Sequence, residues 1–349
     1  MKENIMKRLI VLAVLVFPKL MTAQDIHFSQ MGYSPLTLNP ALAGANYDLQ
    51  VNVNYRNQWN SVAVPFQTIG ASVDTRLNAR KKTNKKAHVA MGINFFNDMA
   101  GEARITTNNA NLHIATHVMV GDGHTLGAGL YGGWGQRSID PSAGKWASQY
   151  NGLNHDPMLS SGETFNSPTF SMFDTGAGLL YTYNSGETRI AQNDSKIINA
   201  GFAAYHLNRP NFSFLNRPEE RMYIRFSGFV NGAFGVPNTH LILEPGVYYH
   251  QQGKAREVLL GMYARYIIKD ESRITSFVKK TTVALGLFYR NQDALIAKAH
   301  VEWRGFGIGV AYDFNLFSDL MKVSRSRGGL ELALRWVVPD LYLRSHRIH

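Results

Sequence analysis

Beyond its N-terminus the chain has no apolar run of the roughly 20 residues that a membrane-crossing helix needs, but it repeatedly alternates apolar with polar or small side chains over about ten, the span of a tilted membrane strand. Successive side chains of a strand point to opposite faces, so each such segment has one apolar face and one that is not. Near the C-terminus Leu295, Ala297, Ala299, Val301 and Trp303 alternate with Lys298, His300, Glu302 and Arg304. Phe306, Ile308, Val310, Tyr312 and Phe314 alternate with Gly305, Gly307, Gly309, Ala311 and Asp313. Leu330, Leu332, Leu334 and Trp336 alternate with Glu331 and Arg335. A soluble β-sandwich also alternates, so strand number, strand length and aromatic placement must decide.

All three favour a transmembrane barrel. About fourteen segments qualify, near 48–57, 66–76, 87–97, 110–120, 124–137, 174–184, 197–208, 221–232, 239–251, 256–268, 280–290, 294–304, 306–316 and 327–337. An even number suits a single-chain antiparallel barrel, and segments of about ten residues exceed the usual five or six of globular sheets. Aromatics fall near segment ends at Trp59, Trp134, Tyr181, Tyr183, Tyr248, Tyr249, Trp303 and Trp336, as in the girdles at membrane interfaces. Pro245 lies inside one segment, which demotes it or marks a bulge. If the first strand rises from the periplasm, the long connection at 138–172 faces outward, while Gly121-Asp122-Gly123 and Arg304-Gly305 become periplasmic turns.

The N-terminus supports export. Lys2, Lys7 and Arg8 precede an apolar run from Leu9 to Phe17 and a small residue at Ala23, which reads as a signal peptide over 1–23. The chain has no cysteine, which removes thiolate nucleophiles, thiolate metal sites and disulfides from consideration. The net charge of +11 arises in part from the cluster Arg80-Lys81-Lys82-Thr83-Asn84-Lys85-Lys86, an exposed turn, and otherwise from cations scattered along strands. Without a concentrated basic face or a recognition module, nucleic acid is not an expected partner. The domain plan is a leader at 1–23, an N-terminal segment at 24–46, an outer-membrane barrel at 47–338 and a basic tail at 339–349.

No catalytic constellation emerges, and neither a cofactor nor a metal is expected. His113 and His117 have the spacing of a helical zinc motif, but on a strand they stand about 13 Å apart and read as a lumen-facing pair. The glycines at 127, 129, 132, 133 and 135, and at 305, 307 and 309, match no phosphate-binding spacing and suit the crowded inner face of a barrel. Glu302 and Glu331 both fall on inward faces, where cross-strand ion pairs with Arg304 or Arg335 account for them.

Several blocks together resemble a known family. After the leader come Phe28-Ser29-Gln30, then Leu38-Asn39-Pro40-Ala41 with Gly44, then Tyr55-Arg56-Asn57-Gln58-Trp59 and Phe66-Gln67-Thr68. Later blocks are Asp98-Met99-Ala100-Gly101, Tyr289-Arg290 and Gly309-Val310-Ala311-Tyr312-Asp313-Phe314. Their order resembles the PorP/SprF family of type IX secretion membrane proteins over nearly the whole mature chain. The resemblance implies an outer-membrane barrel that binds the C-terminal domain of a secreted adhesin, including adhesins used in gliding motility, and anchors it at the cell surface. It also implies periplasmic contacts with motor or peptidoglycan-associated proteins of the secretion machinery, within a coat of outer-membrane lipid. Phe28, Ser29, Gln30, Asn39, Pro40, Gly44, Tyr55, Arg56, Gln58 and Trp59 are the motif positions, with binding or structural roles. Arg56, Gln58 and Trp59 form either a contact surface or a strand end with an interface tryptophan. Pro35 and Pro40 suit an irregular plug better than a strand for 24–46. The competing function is a passive channel for hydrophobic or small polar solutes.

Overall fold

The computed structural model describes residues 25–60, 64–77, 86–163, 165, 167–186, 193–269, 281–317 and 321–339. The leader at 1–23, most of the basic cluster at 80–86 and the tail from 340 onward lie outside them. Fourteen antiparallel strands close into a barrel in chain order, β1 pairing with β14. They are β1 Tyr47–Gln58, β2 Phe66–Arg76, β3 Ala87–Ala100, β4 Ile105–Gly121, β5 His124–Ser138, β6 Thr169–Asn184 and β7 Lys196–Tyr205. The second half comprises β8 Arg225–Gly235, β9 Leu241–Gln252, β10 Ala255–Lys269, β11 Thr281–Arg290, β12 Ala294–Trp303, β13 Phe306–Phe314 and β14 Arg327–Pro339. Every alternating segment read from the sequence is a strand. Closure leaves no unpaired strand edge, which is what lets a sheet span hydrocarbon.

The alternation sorts side chains as expected. On β12 Ala297, Ala299, Val301 and Trp303 are exposed on the outside, whereas Lys298 and His300 are buried inside. The outer face carries large apolar groups from Val53 on β1 round to Leu332 and Leu334 on β14. In water such a surface would be untenable, but in a bilayer it is the lipid contact. The two-residue turn Arg304-Gly305 has φ of 53° and 86°, the left-handed pair that a tight hairpin demands.

Two readings need correction. Pro245 neither demotes β9 nor makes a bulge: it pairs with Met262 of β10, and the β8 ladder keeps its register but is interrupted between Asn231↔Gly246 and Phe234↔Leu243. Proline has no N–H to give, so the gap falls where a donor is missing. Tyr248 is not a girdle residue, because Tyr249 faces out and its neighbour must face in, where its ring stacks on Phe229 at 6.2 Å.

The ends of the barrel differ. One, the terminus end, holds the start of β1 and the finish of β14. The other, the loop end, carries the two longest connections, 139–168 and 206–224. These pack on each other through Phe165 against Phe214, at 6.4 Å between rings, and Arg137 at the end of β5 sets its guanidinium 3.8 Å over Phe212.

Candidate functional site

Residues 25–46 run through the lumen from the loop end to the terminus end. Three short helical turns, Met31–Tyr33, Pro35–Leu38 and Pro40–Leu42, shape the segment, with Pro35 and Pro40 at first-turn positions where a missing N–H costs nothing. Phe28, Ser29, Gln30, Leu36, Asn39 and Ala41 are all buried against the barrel wall. So short a segment lacks a regular backbone hydrogen-bond ladder, and its buried polar groups need partners from the wall.

The densest anchor is at Ser29 and Gln30. Their backbone amides donate to the two oxygens of Glu331 on β14, at 2.7 and 2.9 Å. The Ser29 hydroxyl donates to Asp313 of β13 at 3.0 Å and accepts from Arg290 of β11 at 2.7 Å. Lys298 of β12 donates to the Ser29 carbonyl at 2.5 Å. Arg56 of β1 donates to the His27 carbonyl at 2.5 Å and pairs with Asp313 at 3.2 Å, while Arg290 pairs with the same carboxylate at 2.9 Å. Five ionisable side chains, each at most 4% exposed, thus converge on three plug residues, His27, Ser29 and Gln30. Removing one partner from such a buried set strands the others, at a cost of about 3–5 kcal/mol.

On the opposite wall the fit is steric. The Asn39 amide donates to the Leu179 and Phe202 carbonyls at 2.9 and 3.2 Å, and its oxygen accepts from Ala41 N at 2.8 Å. A Cβ on Gly129 would stand 2.5 Å from Ala41 N, and one on Gly178 would stand 2.9 Å from the Pro40 ring. Gly129 of β5 therefore lets plug backbone lie directly on wall backbone, and Gly178 of β6 makes room for the Asn39 side chain and the Pro40 ring. Toward the terminus end Gly44 adopts φ of 60°, its N–H donates to Asp74 at 2.8 Å, and Arg76 donates to its carbonyl at 2.7 Å.

At the loop end the His206 ring lies between Asp25, 2.5 Å from Nε2, and Asp174, 2.9 Å from Nδ1. Tyr131 donates to Asp174 at 2.5 Å, and Arg225 Nε is 3.5 Å from Asp25. Burial opposes charge on His206, but the Asp25 and Asp174 carboxylates outweigh it and raise the ring to about 9. Burial likewise opposes charge on Asp25, and His206 and Arg225 hold it well below the usual carboxylate range. Burial lowers His27 to about 3 despite Glu257 at 3.4 Å, so that ring is neutral.

A cavity of about 550 Å³ remains between the plug and the terminus end. Met31 and Leu42 line it from the plug side; from the wall Arg265 pairs with Glu244 at 2.5 Å and with Glu302 at 3.0 Å, and Glu302 also pairs with Arg335.

The motif positions separate into two groups. Ser29, Gln30 and Arg56 meet in one network, the Phe28 ring packs on Gly70, and Asn39, Pro40 and Gly44 seat the far side of the plug. Tyr55 faces outward, Gln58 ends β1, and Trp59 stands just beyond with φ of 61° and its ring edge-on to Phe66 at 4.9 Å. Arg56 points into the lumen and does not share a surface with Trp59. Glu331 does not pair with Arg335 as expected, because plug amides occupy it, and the partners of Glu302 are Arg265 and Arg335 while Arg304 lies over the Trp303 ring at 4.9 Å. His113 and His117 do face the lumen, bonded to Asn94 at 2.6 Å and to the Ala43 carbonyl at 2.9 Å. Lys298 and Glu331 on inward faces were readable as charges in need of partners; Asp25, Asp174 and His206 gave no comparable signal.

The family model described as type IX secretion system membrane protein PorP/SprF matches residues 20–336. No curated protein matches the chain. Among solved structures it is similar to the TodX monoaromatic hydrocarbon channel deltaS2 mutant, at 11% identity and a TM-score of 0.45, over 87% of this chain and 92% of that one. It is similar to the CymD monoaromatic hydrocarbon channel at 10% identity and a TM-score of 0.44, over 90% and 94%. Its likeness to CdiB from Acinetobacter baumannii, at 8% identity and a TM-score of 0.43, covers 83% of this chain and 60% of CdiB.

Proposed function

The chain belongs to the PorP/SprF family of type IX secretion membrane proteins and is an outer-membrane β-barrel; on that premise we propose that it acts as a non-catalytic anchor, binding the C-terminal domain of a secreted adhesin and holding it at the cell surface. The observation that carries this reading is the occupied lumen. Plug residues 29–30 are bonded to β11–β14 and residue 39 to β6 and β7, strands on opposite sides of the barrel. A barrel braced across its bore by its own chain works through its ends. With the start of β1 and the finish of β14 on the periplasmic side, the loop end faces outward, and its packed loops present Leu153 and Met158 at 84% and 91% exposure as contact points for the adhesin domain. The terminus end, with its cavity, faces motor or peptidoglycan-associated proteins.

The test is purification of the tagged protein from native outer membranes in mild detergent, with mass spectrometry of whatever co-purifies stoichiometrically. A large exported protein retained through its C-terminal domain, and lost when residues 149–159 are replaced by a glycine-serine linker, is the expected result. Barrel that repeatedly emerges alone and conducts solutes in planar bilayers overturns the anchor in favour of the passive channel.

A further inference from the structure

The wall that seats the plug on its inner side at Gly129 and Gly178 carries an open apolar hollow on its outer face over β4–β9. The hollow measures about 860 Å³ and is open to the outside. Its floor is Ala128, Ala200 and Gly228, small residues among the bulky outward groups of the barrel, and its sides are Leu179, Phe202 and Val247. Cross-strand register makes the feature continuous, since Ala128 pairs with Leu179, Leu179 with Phe202, and Phe202 with Gly228.

We propose that this groove binds one acyl chain of a membrane phospholipid. It is continuous with the lipid-facing surface, so hydrocarbon is what reaches it. A chain lying there is contacted from below and from both sides, so it makes more close dispersion contacts than a chain on a convex wall. The tyrosine hydroxyls at its two ends are already engaged, Tyr181 with His124 at 2.8 Å and Tyr249 with Gln251 at 2.7 Å, so the interior is apolar. Among the described residues no Lys or Arg lines it, so the described lining offers no cation to the phosphorylated sugars of lipopolysaccharide.

The experiment is native mass spectrometry of the full chain in detergent, titrated with phosphatidylethanolamine. The unmodified protein is expected to hold one lipid more tightly than the rest. Ala200→Phe, which fills the floor, weakens that first binding at least ten-fold, whereas Ala299→Phe on the outer face of β12 leaves it unchanged. Folding is checked by heat-modifiable gel mobility, and Ala200→Leu serves if the larger variant does not assemble. Equal binding by all variants, or no preferred first lipid, overturns the proposal. So does a dimer that Ala200→Phe abolishes without affecting lipid, which would make a second copy of the chain the occupant.

Discussion

Gly129→Ala adds a single methyl group and should unseat the plug. Its Cβ would stand 2.5 Å from Ala41 N, 2.6 Å from Pro40 C and 2.7 Å from Ala41 Cα, all of them backbone atoms with no rotamer to escape into. Ordinary carbon contacts lie at about 3.5–4.0 Å, so plug and wall must part by about 1 Å. Overpacking of this kind costs about 1–3 kcal/mol. The parting also strains the Asn39 bonds to the Leu179 and Phe202 carbonyls, about 1 kcal/mol each. A total of about 3–5 kcal/mol raises the displaced population by roughly one hundred- to four thousand-fold, at tenfold per 1.4 kcal/mol. Amide hydrogen exchange at Ala41 to Gly44 reads that population directly, and planar-bilayer recording should show openings absent from the unmodified protein. The control is Gly132→Ala on the outer face, whose Cβ meets the Phe173 ring at an ordinary 3.4 Å. Protection in Gly129→Ala equal to that control would refute the view that glycine is there for contact with the plug.

Three further outcomes follow from the same contacts. Glu331→Ala leaves the Ser29 and Gln30 amides without acceptors and removes one of the carboxylates that oppose the charge of Lys298, and should cost about 3–5 kcal/mol in denaturant unfolding; Glu331→Gln, which keeps an acceptor, should cost less. His206 is raised to about 9 from an ordinary 6.5, so its contribution, on the order of 3 kcal/mol, is full below pH 6.5 and lost as pH climbs through 9. Asp25 is depressed, so its contribution is full above its ordinary value near 4 and fades as pH falls through the lower folded value. A nitroxide on Ile26→Cys, the sole cysteine of that variant, should therefore gain mobility between pH 7 and 10, and a spectrum unchanged to pH 10 would count against the clamp. Leu332→Arg places a charge midway along the outer face of β14 and should destabilise the folded barrel by about 2–4 kcal/mol, measured by equilibrium unfolding from lipid vesicles; a neutral result would argue that this face does not meet hydrocarbon.

The strands were legible because their signal is local: a period of two survives any tertiary arrangement, and the segment near 66–76 coincides with β2. The partners of the inward charges were not, because a barrel interior joins residues by position round the circumference and through the plug, neither of which sequence spacing encodes. Arg335 is four residues from Glu331 and was its natural candidate, yet four strand residues span about 13 Å. Arg335 instead reaches Glu302 on β12, and Glu331 takes backbone amides three hundred residues away. Tyr248 and Tyr249 show the same limit in miniature: adjacent aromatics near a strand end look like one girdle, and the pleat sends one of them into the lumen. The clamp at His206 was invisible because its members come from the plug, from β6 and from the residue after β7, with no shared pattern.

The position of the plug in the chain bears on how the barrel closes. Pairing β1 with β14 joins residues nearly three hundred positions apart, the least local contact in the fold, and its loop-closure entropy is opposed only once many bonds form together. The segment just before β1 supplies bonds that lie outside the strand ladder. Ser29 and Gln30 reach Glu331 on β14, Asp313 on β13, Lys298 on β12 and Arg290 on β11, and Arg56 ties β1 to the same cluster. Four of the last strands thus converge on a segment covalently continuous with the first, so the seam is held by charge as well as by its ladder. A barrel lacking residues 25–44 should therefore still form its hairpins yet close slowly, accumulating as a heat-labile species during refolding into vesicles. Supplying that segment as a separate peptide should restore the rate in proportion to peptide concentration. Closure at the normal rate without the segment would show that the strand ladder alone suffices and that the plug only occupies a lumen formed independently of it.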